Sequence, residues 1–318
     1  MTLHAIILAA GKGTRMKSDL LKVAHLVAGK PIVEYVVDTV NALSVDSINV
    51  VVGHQADVLM TAIKGPSIRF VMQEEQLGTG HAVMQVARAH SFHPTDSILV
   101  LAGDCPLIRE SELQRLVATH LETNAYATIL TTMMTQPGTY GRILRGKMGS
   151  VMGIREAKDC TEEQLTITEV NTGVYVFQAG PLMGALGQLT TNNAQHEYYL
   201  TDVIHILKQD GLPISATLTP DSEHAIGVNT RADLATINRL IYEHNNQHFM
   251  REGVTIIDPG STFIDSTVTI GLDTIIHPFA TIYGHTHIGP HCVIGPHTYL
   301  MDARIDANTY LPPFTRMG

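Results

Sequence analysis

Ala5-Ile-Ile-Leu-Ala-Ala-Gly11-Lys-Gly13-Thr-Arg15-Met16 runs an aliphatic stretch straight into a glycine-rich turn that carries two cations. Residues 5–10 read as a buried strand, and the turn after it as a loop at the strand's carboxyl end. Three further aliphatic runs, at 48–52, 68–72 and 98–102, are mostly bounded by Gly, Pro, Ser or Asp. Such runs are what strands buried on both faces look like. Helix-like stretches lie between and after them: 31–43, opened by a proline suited to a first helical turn, then 55–64, 79–89 and 110–121. Strand and helix in alternation predict an α/β fold, a Rossmann-like mainly parallel sheet covered on both faces.

Beyond this region the pattern changes twice. Residues 229–250 are polar, with Leu234, Ile237, Leu240 and Ile241 at helical spacing, and predict a lightly amphipathic connecting helix. From Ile264 the period becomes six: Ile264, Ile270, Ile276, Ile282, Ile288, Ile294 and Leu300 recur without a miss, each preceded two places earlier by a small or β-branched residue. That is the hexapeptide signature of a parallel β-helix, here of about two and a half coils at three hexads per coil. The expected organisation is therefore 1–228 for the α/β domain, 229–252 for the linker helix and 253–318 for a short β-helix.

Composition removes several functions. With 21 basic against 30 acidic residues the net charge is −9, the wrong sign for a nucleic-acid binder. The N-terminal apolar run is too short for a signal peptide or a membrane span, so a cytoplasmic location is expected. Cys105, Cys160 and Cys292 have unrelated spacings and make neither a disulfide framework nor a zinc site. Of the 17 histidines, only His285 and His287 in the C-terminal group share a strand face, without the Cys or acid pattern of a metal site.

The Gly11–Gly13 turn remains the chemical centre. Glycines let a backbone approach a phosphate chain so that N–H groups point at anionic oxygens. Arg15 and Lys22 would add the fixed cations that a polyphosphate needs. The dinucleotide fingerprint is excluded, because Met16 stands at the third glycine and Gly53-His54 stand where the ribose-binding acid belongs. The Walker loop is excluded because Gly-Lys-Ser/Thr after a four-residue gap is absent.

Leu8-Ala-Ala-Gly-Lys-Gly-Thr-Arg-Met with Lys22 following resembles the signature of sugar nucleotidylyltransferases. Gln73-Glu-Glu-Gln-Leu-Gly78-Thr79, Gly103-Asp104-Cys-Pro, Tyr140-Gly141-Arg-Ile, Arg155-Glu156-Ala-Lys-Asp, Glu169-Val-Asn171-Thr-Gly, the stretch from Asn193 to Asp202, and Gly227-Val-Asn229-Thr-Arg follow in order. Together they resemble the bacterial N-acetylglucosamine-1-phosphate uridylyltransferases of the GlmU type, over nearly the whole chain. The resemblance implies catalytic roles for Arg15 and Lys22 on the triphosphate and the leaving pyrophosphate. It implies that Leu8, Ala9, Ala10, Gly11 and Gly13, with Gln73, Gly78, Thr79 and Gly103, hold the nucleotide, and that Gly141, Glu156 and Asn171 hold the amino sugar. Asp104 and Asn229 would coordinate Mg²⁺, Asn229 touching substrate as well. The partners would be UTP and N-acetylglucosamine-1-phosphate, with no nucleic acid and no membrane. A homotrimer through the β-helix is a family habit, set here against a small number of coils.

Taken one at a time, these residues have structural readings too: Asp104 as a cap for the next helix, Lys22 solvated, Asn171 holding a turn. Three departures stand out. Leu21 replaces the proline usual before Lys22, His196 replaces a usual glycine, and the chain stops short of the coils that carry an acetyltransferase site in bifunctional relatives. No acetyl transfer is therefore expected. The rival readings are a nucleotidylyltransferase for another sugar 1-phosphate or for dTTP, a non-catalytic nucleotide-sugar-sensing subunit, and an oligomerisation module.

Overall fold

The structure, a computed structural model, describes residues 2–65 and 67–318. The chain divides into two compact units, Met1–Ala24 with Val33–Gly227, and His25–Ile32 with Val228–Gly318.

The first unit opens with β1 (Leu3–Leu8). The chain then passes to the second unit for a short hairpin, β2 (Leu26–Val27) and β3 (Lys30–Pro31), before α1 (Ile32–Ala42). Pro31 thus stands just ahead of the helix, paired with Leu26 across the hairpin, and not in the helix's first turn as expected. Alternation follows as read: β4 (Ser47–Val52), α2 (Ala56–Ala62), β5 (Ile68–Met72), α3 (Thr79–Ala89), β6 (Ser97–Ala102) and α4 (Glu110–Glu122). The later part adds β7 (Ala127–Met133), the hairpin β8 (Arg142–Arg145) and β9 (Val151–Arg155), and a one-turn α5 (Glu162–Leu165). After these come β10 (Glu169–Gln178), α6 (Ala179–Leu186), α7 (Asp202–Gln209) and β11 (Ile214–Thr219).

The sheet order is β11-β7-β10-β6-β1-β4-β5, with β8 and β9 added beside β10. β6, β1, β4 and β5 run parallel, so their carboxyl ends share one edge, while β10 is antiparallel to both β6 and β7. Each central strand feeds two apolar layers. Ile6, Val51, Ile98 and Val100 pack with α3 on one face, and Ala5, Ile7, Val50, Leu99 and Leu101 with α1 and α4 on the other. Residues 68–72 break the expectation of burial on both faces: Arg69 and Met72 are exposed, because β5 is the edge strand and has one neighbour only.

In the second unit the helix α8 (Arg231–Arg251) starts from a Thr230–Asp233 capping box, and its buried face carries Ile237, Leu240, Ile241 and Phe249. The Ala28 N–H of the hairpin donates to Asn238 Oδ1 at 2.9 Å. The β-helix proves longer than the hexad pattern predicts. Its three faces hold four, four and three stacked strands, from Thr255–Ile256 to Arg316–Met317. Ile256 precedes the regular run across a short 3₁₀ turn, and Ile305 follows Leu300 after five residues, so both fall outside a strict period of six. Asp302 at this corner is left-handed at φ 51°, as are Asp273 and His291 at corners with full six-residue steps.

The C-terminal histidines find their use here. His291 and His297 occupy left-handed corners, and His297 lies stacked between Phe279 and Phe314, with centroids 4.8 and 5.0 Å apart. A bulky residue at φ 63°, such as Phe279, costs about 1–2 kcal/mol, and ring stacking of about 0.5–1.5 kcal/mol per pair offsets it. His287 Nδ1 bonds Thr269 Oγ1 at 2.7 Å, while the His285 N–H donates to Asp302. No group of three or more His, Cys, Asp or Glu able to hold a metal occurs among the described residues.

Candidate active site

The parallel strands deliver their carboxyl ends to one rim, and there the chain opens a cleft of about 560 Å³. Of the residues expected to hold the nucleotide, Leu8 to Gly11, Gly13, Gln73, Gly78 and Thr79 line it and Gly103 does not, and Lys22 and Asp104 line it as well. It also draws in Lys12, Thr14, Gln76 and Glu197, to which no role had been given. Lys12 could have been found from its place between the two glycines. Glu197 sits in the motif stretch 193–202, but its place at the cleft depends on a distant loop that only the fold brings there.

The loop after β1 is held open at its base. Ala9 N–H donates to Val51 O, and Gly103 N–H to Leu8 O, both at 2.9 Å, so β1, β4 and β6 end in register. The N–H groups of Gly11, Lys12, Gly13 and Thr14 bond to no other described residue. A run of unspent amides beside a left-handed Gly13 (φ 60°) is the backbone arrangement in which N–H groups can converge on an anion. A Cβ on Gly13 would lie 2.5 Å from Lys22 Cβ, so glycine is what lets the lysine stem pass.

Lys22, in the 3₁₀ turn Lys22–Ala24, forms an ion pair with Asp104 Oδ2, both side chains mostly buried at 15% and 16% exposure. The solvated reading of Lys22 and the capping reading of Asp104 therefore fall: Arg109 is the N-cap of α4. Leu21, in place of the family's proline, is 4% exposed and packs in the apolar layer with Val23 and Ala24, which anchors the turn by burial. Beside Asp104, burial pushes the Cys105 thiol well up, so it stays protonated. Arg15 stands apart from this set. It is exposed on the 3₁₀ turn Thr14–Met16, outside the cleft lining.

On the far wall, Gly78 precedes α3 with φ 108°, and a Cβ there would meet Tyr198 O at 2.6 Å. Tyr198 zips this corner shut: its N–H donates to Leu77 O, and its carbonyl accepts from Gly80 N–H at 2.8 Å. Thr79 Oγ1 accepts from Leu200 N–H at 3.1 Å. The loop that brings Glu197 and Tyr198 is organised by Asn193, whose Oδ1 accepts from the N–H groups of Gln195 and Glu197. His196 within it has φ 56°, which explains why glycine is the family's usual residue there.

The expected amino-sugar residues form a second cluster. Asn171 N–H donates to Gly141 O at 2.9 Å, and Asn171 Nδ2 to the Tyr175 hydroxyl at 2.6 Å. A bulge between Asn171 and Tyr175 shifts the pairing of β10 with β7, and Asn171 Oδ1 accepts from Gly173 N–H. The turn-holding reading of Asn171 therefore holds, at a bulge of the kind that re-aims side chains. Thr201 Oγ1 donates to Glu156 Oε1 at 3.0 Å. Burial raises the Glu156 carboxyl, against the Thr201 bond, with Asp202, Asp159 and Glu197 adding repulsion. Arg142, 3% exposed, is bonded to the Tyr140 and Gly138 carbonyls and stiffens the turn that presents Gly141. The Tyr140 hydroxyl accepts from Gly227 N–H at 3.1 Å, and a Cβ on Gly227 would lie 3.4 Å from Asp104 Oδ1. Arg142 and Thr201 lie within the motif stretches 140–143 and 193–202 but had no role of their own, and Tyr175 lies in none; only the fold brings the three beside Gly141, Glu156 and Asn171. Asn229 belongs to the second unit, just before α8, where its N–H donates to Asp233 Oδ2 at 3.0 Å. No helix among the described residues is long and apolar enough to cross a membrane.

Comparison with known proteins agrees with this geometry. Residues 5–167 match the MobA-like NTP transferase domain, and residues 267–302 match the bacterial transferase hexapeptide (six repeats). The bifunctional protein GlmU of Syntrophomonas wolfei is 47% identical over 305 residues, covering 96% of this chain and 68% of that relative. Those of Halalkalibacterium halodurans and Enterococcus faecalis are each 46% identical, covering 96% and 95% of this chain and 67% and 66% of theirs. With such identity sustained through the sheet and into the β-helix, the chain belongs to the GlmU family, as a nucleotidyltransferase domain joined to a hexapeptide-repeat β-helix.

Proposed function

We propose that the protein is a sugar-1-phosphate uridylyltransferase that joins UTP and N-acetylglucosamine-1-phosphate into UDP-N-acetylglucosamine and pyrophosphate. Residues 1–228 would carry this chemistry, with 229–252 as the linker helix and 253–318 as the β-helix. The observation that carries the proposal is the unspent amide run of residues 11–14 beside the Lys22–Asp104 pair, in a cleft at the sheet's carboxyl edge. A phosphate oxygen of the sugar 1-phosphate attacks the α-phosphorus, that bond forms as the α–β bridge bond breaks, and pyrophosphate leaves with the electron pair. The nucleophile is already an anion, so a site with no Ser, Cys or His at its centre suffices. What the protein supplies is alignment and charge.

Gly11 to Thr14 would cradle the phosphates through their N–H groups. Lys22 would leave Asp104 and turn to the phosphate chain, where its ammonium offsets the charge that grows on pyrophosphate. Arg15, at the exposed turn, would reach the triphosphate only by moving inward. The Asp104 carboxylate is a hard oxygen donor freed by that exchange, and it fits Mg²⁺, which takes one or two carboxylates alongside substrate phosphates. When bound, that ion would supply charge neutralisation on the phosphates. Asn229 is kept as a second proposed ligand on the family resemblance. A raised Mg²⁺ requirement in Asn229→Ala would support it, and an unchanged one would refute it.

Gly141, Asn171 and Glu156 would hold the acetamido sugar, the carboxylate accepting from hydroxyls and the amide pairing with the acetamido group. Pyrophosphate release over a grid of four nucleotides and several sugar 1-phosphates with Mg²⁺ tests the whole reading. Turnover confined to UTP with N-acetylglucosamine-1-phosphate is expected. Turnover with another sugar or with dTTP would move the assignment within the class, and none with any pair would favour a sensing subunit.

A further inference from the structure

Gln73 follows β5 at the cleft, 3% exposed, with its backbone N–H donating to Val52 O at 2.7 Å. Its side-chain nitrogen makes two hydrogen bonds inside the protein, to Gly78 O at 3.1 Å and to His81 Nδ1 at 3.1 Å. A primary amide has two N–H donors, so both are spent. The carbonyl oxygen of the same amide has no partner among the described residues and is the group left for a ligand.

The direction of this amide is set by His81, in the first turn of α3. Because Nδ1 accepts from Gln73, the neutral ring carries its hydrogen on Nε2. The Gln85 side-chain nitrogen lies 2.7 Å from Nε2, donor against donor on this tautomer, so the Gln85 amide turns end for end to present its oxygen, while Gly78 O fixes the Gln73 end. The ring is held from one side by Tyr198, with centroids 6.2 Å apart and planes 29° off parallel. Gln85, His81 and Gly78 thus decide together which end of Gln73 faces the cleft.

We propose that His81 is a positioning residue that locks Gln73 as an acceptor toward the nucleobase, and so makes the cleft select bases with a ring N–H over cytosine. The inference rests on the uridylyltransferase reading in that it takes the base to lie at Gln73. Uracil and thymine offer N3–H as a donor, and guanine offers N1–H, whereas cytosine offers a bare N3 that would face the Gln73 oxygen acceptor to acceptor. A freely rotating amide would serve either kind of base by flipping, so selectivity depends on the lock more than on the glutamine alone. Buried polar groups left unpaired are what give such pockets their discrimination.

The experiment compares kcat/KM for UTP and CTP, with Mg²⁺ and N-acetylglucosamine-1-phosphate, in the wild-type full chain and in His81→Leu and His81→Asn. The binding of UTP, CTP, dTTP and GTP is measured in parallel by titration calorimetry. The wild type is expected to favour UTP strongly. His81→Leu should lower the UTP-to-CTP ratio by about tenfold or more, the worth of one buried hydrogen bond to an oriented group, chiefly through KM for UTP. His81→Asn, whose amide oxygen replaces the Nδ1 acceptor, should recover most of the ratio. Should His81→Leu fail to fold, Gln85→Leu removes the ring's second partner and should shift the ratio the same way by less.

An unchanged ratio in the folded His81→Leu protein overturns the inference, as does an equal loss for both nucleotides, which is what a merely structural role would give. A wild type that prefers CTP overturns it too. A wild type that ignores UTP but binds dTTP or GTP refutes uridylyl transfer and leaves the lock standing.

Discussion

In the β-helix a residue meets the same surroundings one coil later. Ile264, Ile282 and Leu300 stack in one column, each fully buried, with strand paired to strand at every step. In the cleft no position repeats: Gly13 is there for the stem of Lys22, Gly78 for the carbonyl of Tyr198, and Gln73 for His81. The first region spends its sequence on burial, and its chemistry is incidental. The second spends buried charge and unspent amides on binding and relies on the aliphatic sheet beneath it for stability. Substitutions should therefore separate, those in the cleft reading out in turnover and those in the β-helix in stability.

The largest effect should come from the ion pair. Lys22→Ala, and separately Asp104→Ala, should each lower kcat by about 10²–10³-fold, the usual loss when one electrostatic stabiliser is removed. The melting temperature should fall as well, because the mostly buried charge left behind loses its partner, so turnover is taken per folded molecule. Pyrophosphate release with a thermal melt reads both. A variant that keeps near-normal turnover would break the comparison on the catalytic side.

Next is Ile282→Ala in the middle of a column. Removing a fully buried isoleucine side chain typically costs about 2–5 kcal/mol, and urea unfolding followed by circular dichroism should register a loss in that range. Activity per folded molecule should remain. Loss of kcat in protein that is still folded would show the two regions to be more tightly coupled than their separate cores imply.

Glu156 tests the cleft's cost in stability. Its carboxyl is raised by burial, so the folded protein holds that proton more tightly than the unfolded chain does. Between the ordinary carboxylate value and the raised one, the native state binds more protons. Stability therefore falls as pH rises through that window, and the penalty persists above it. Glu156→Gln keeps an acceptor for Thr201 and sheds the charge. It should melt higher than the wild type at pH 8 and level with it near pH 4, while KM for the sugar phosphate rises about tenfold. A melt at pH 8 no higher than the wild type's would remove the stability argument, and an unchanged KM would remove the sugar contact.

The smallest effect should be at His196, where a left-handed backbone already suits glycine. In His196→Gly, relief of strain offsets the extra entropy of the unfolded chain. Stability should stay within about 1 kcal/mol and kcat should be unchanged. A marked fall in kcat would show that the imidazole itself is used.

Much of this molecule can be read from its residues in order. Alternating aliphatic runs and amphipathic stretches predict the α/β sheet, and a period of six predicts the β-helix, because strands, helices and coils impose their geometric repeats on where apolar side chains must fall. The glycine–lysine turn announces itself too, since phosphate binding at a strand end needs local backbone freedom. What could not be read was everything set by chain meeting distant chain. The antiparallel place of β10, the exposed edge at β5 and the extra coil around Ile305 depend on neighbours that no local pattern names. So does the union of Lys22 with Asp104, and of Gln73 with His81 and Tyr198. Sequence periodicity records the average burial of an element, whereas a site is made by single contacts whose energies depend on distance, and only the tertiary structure sets those distances.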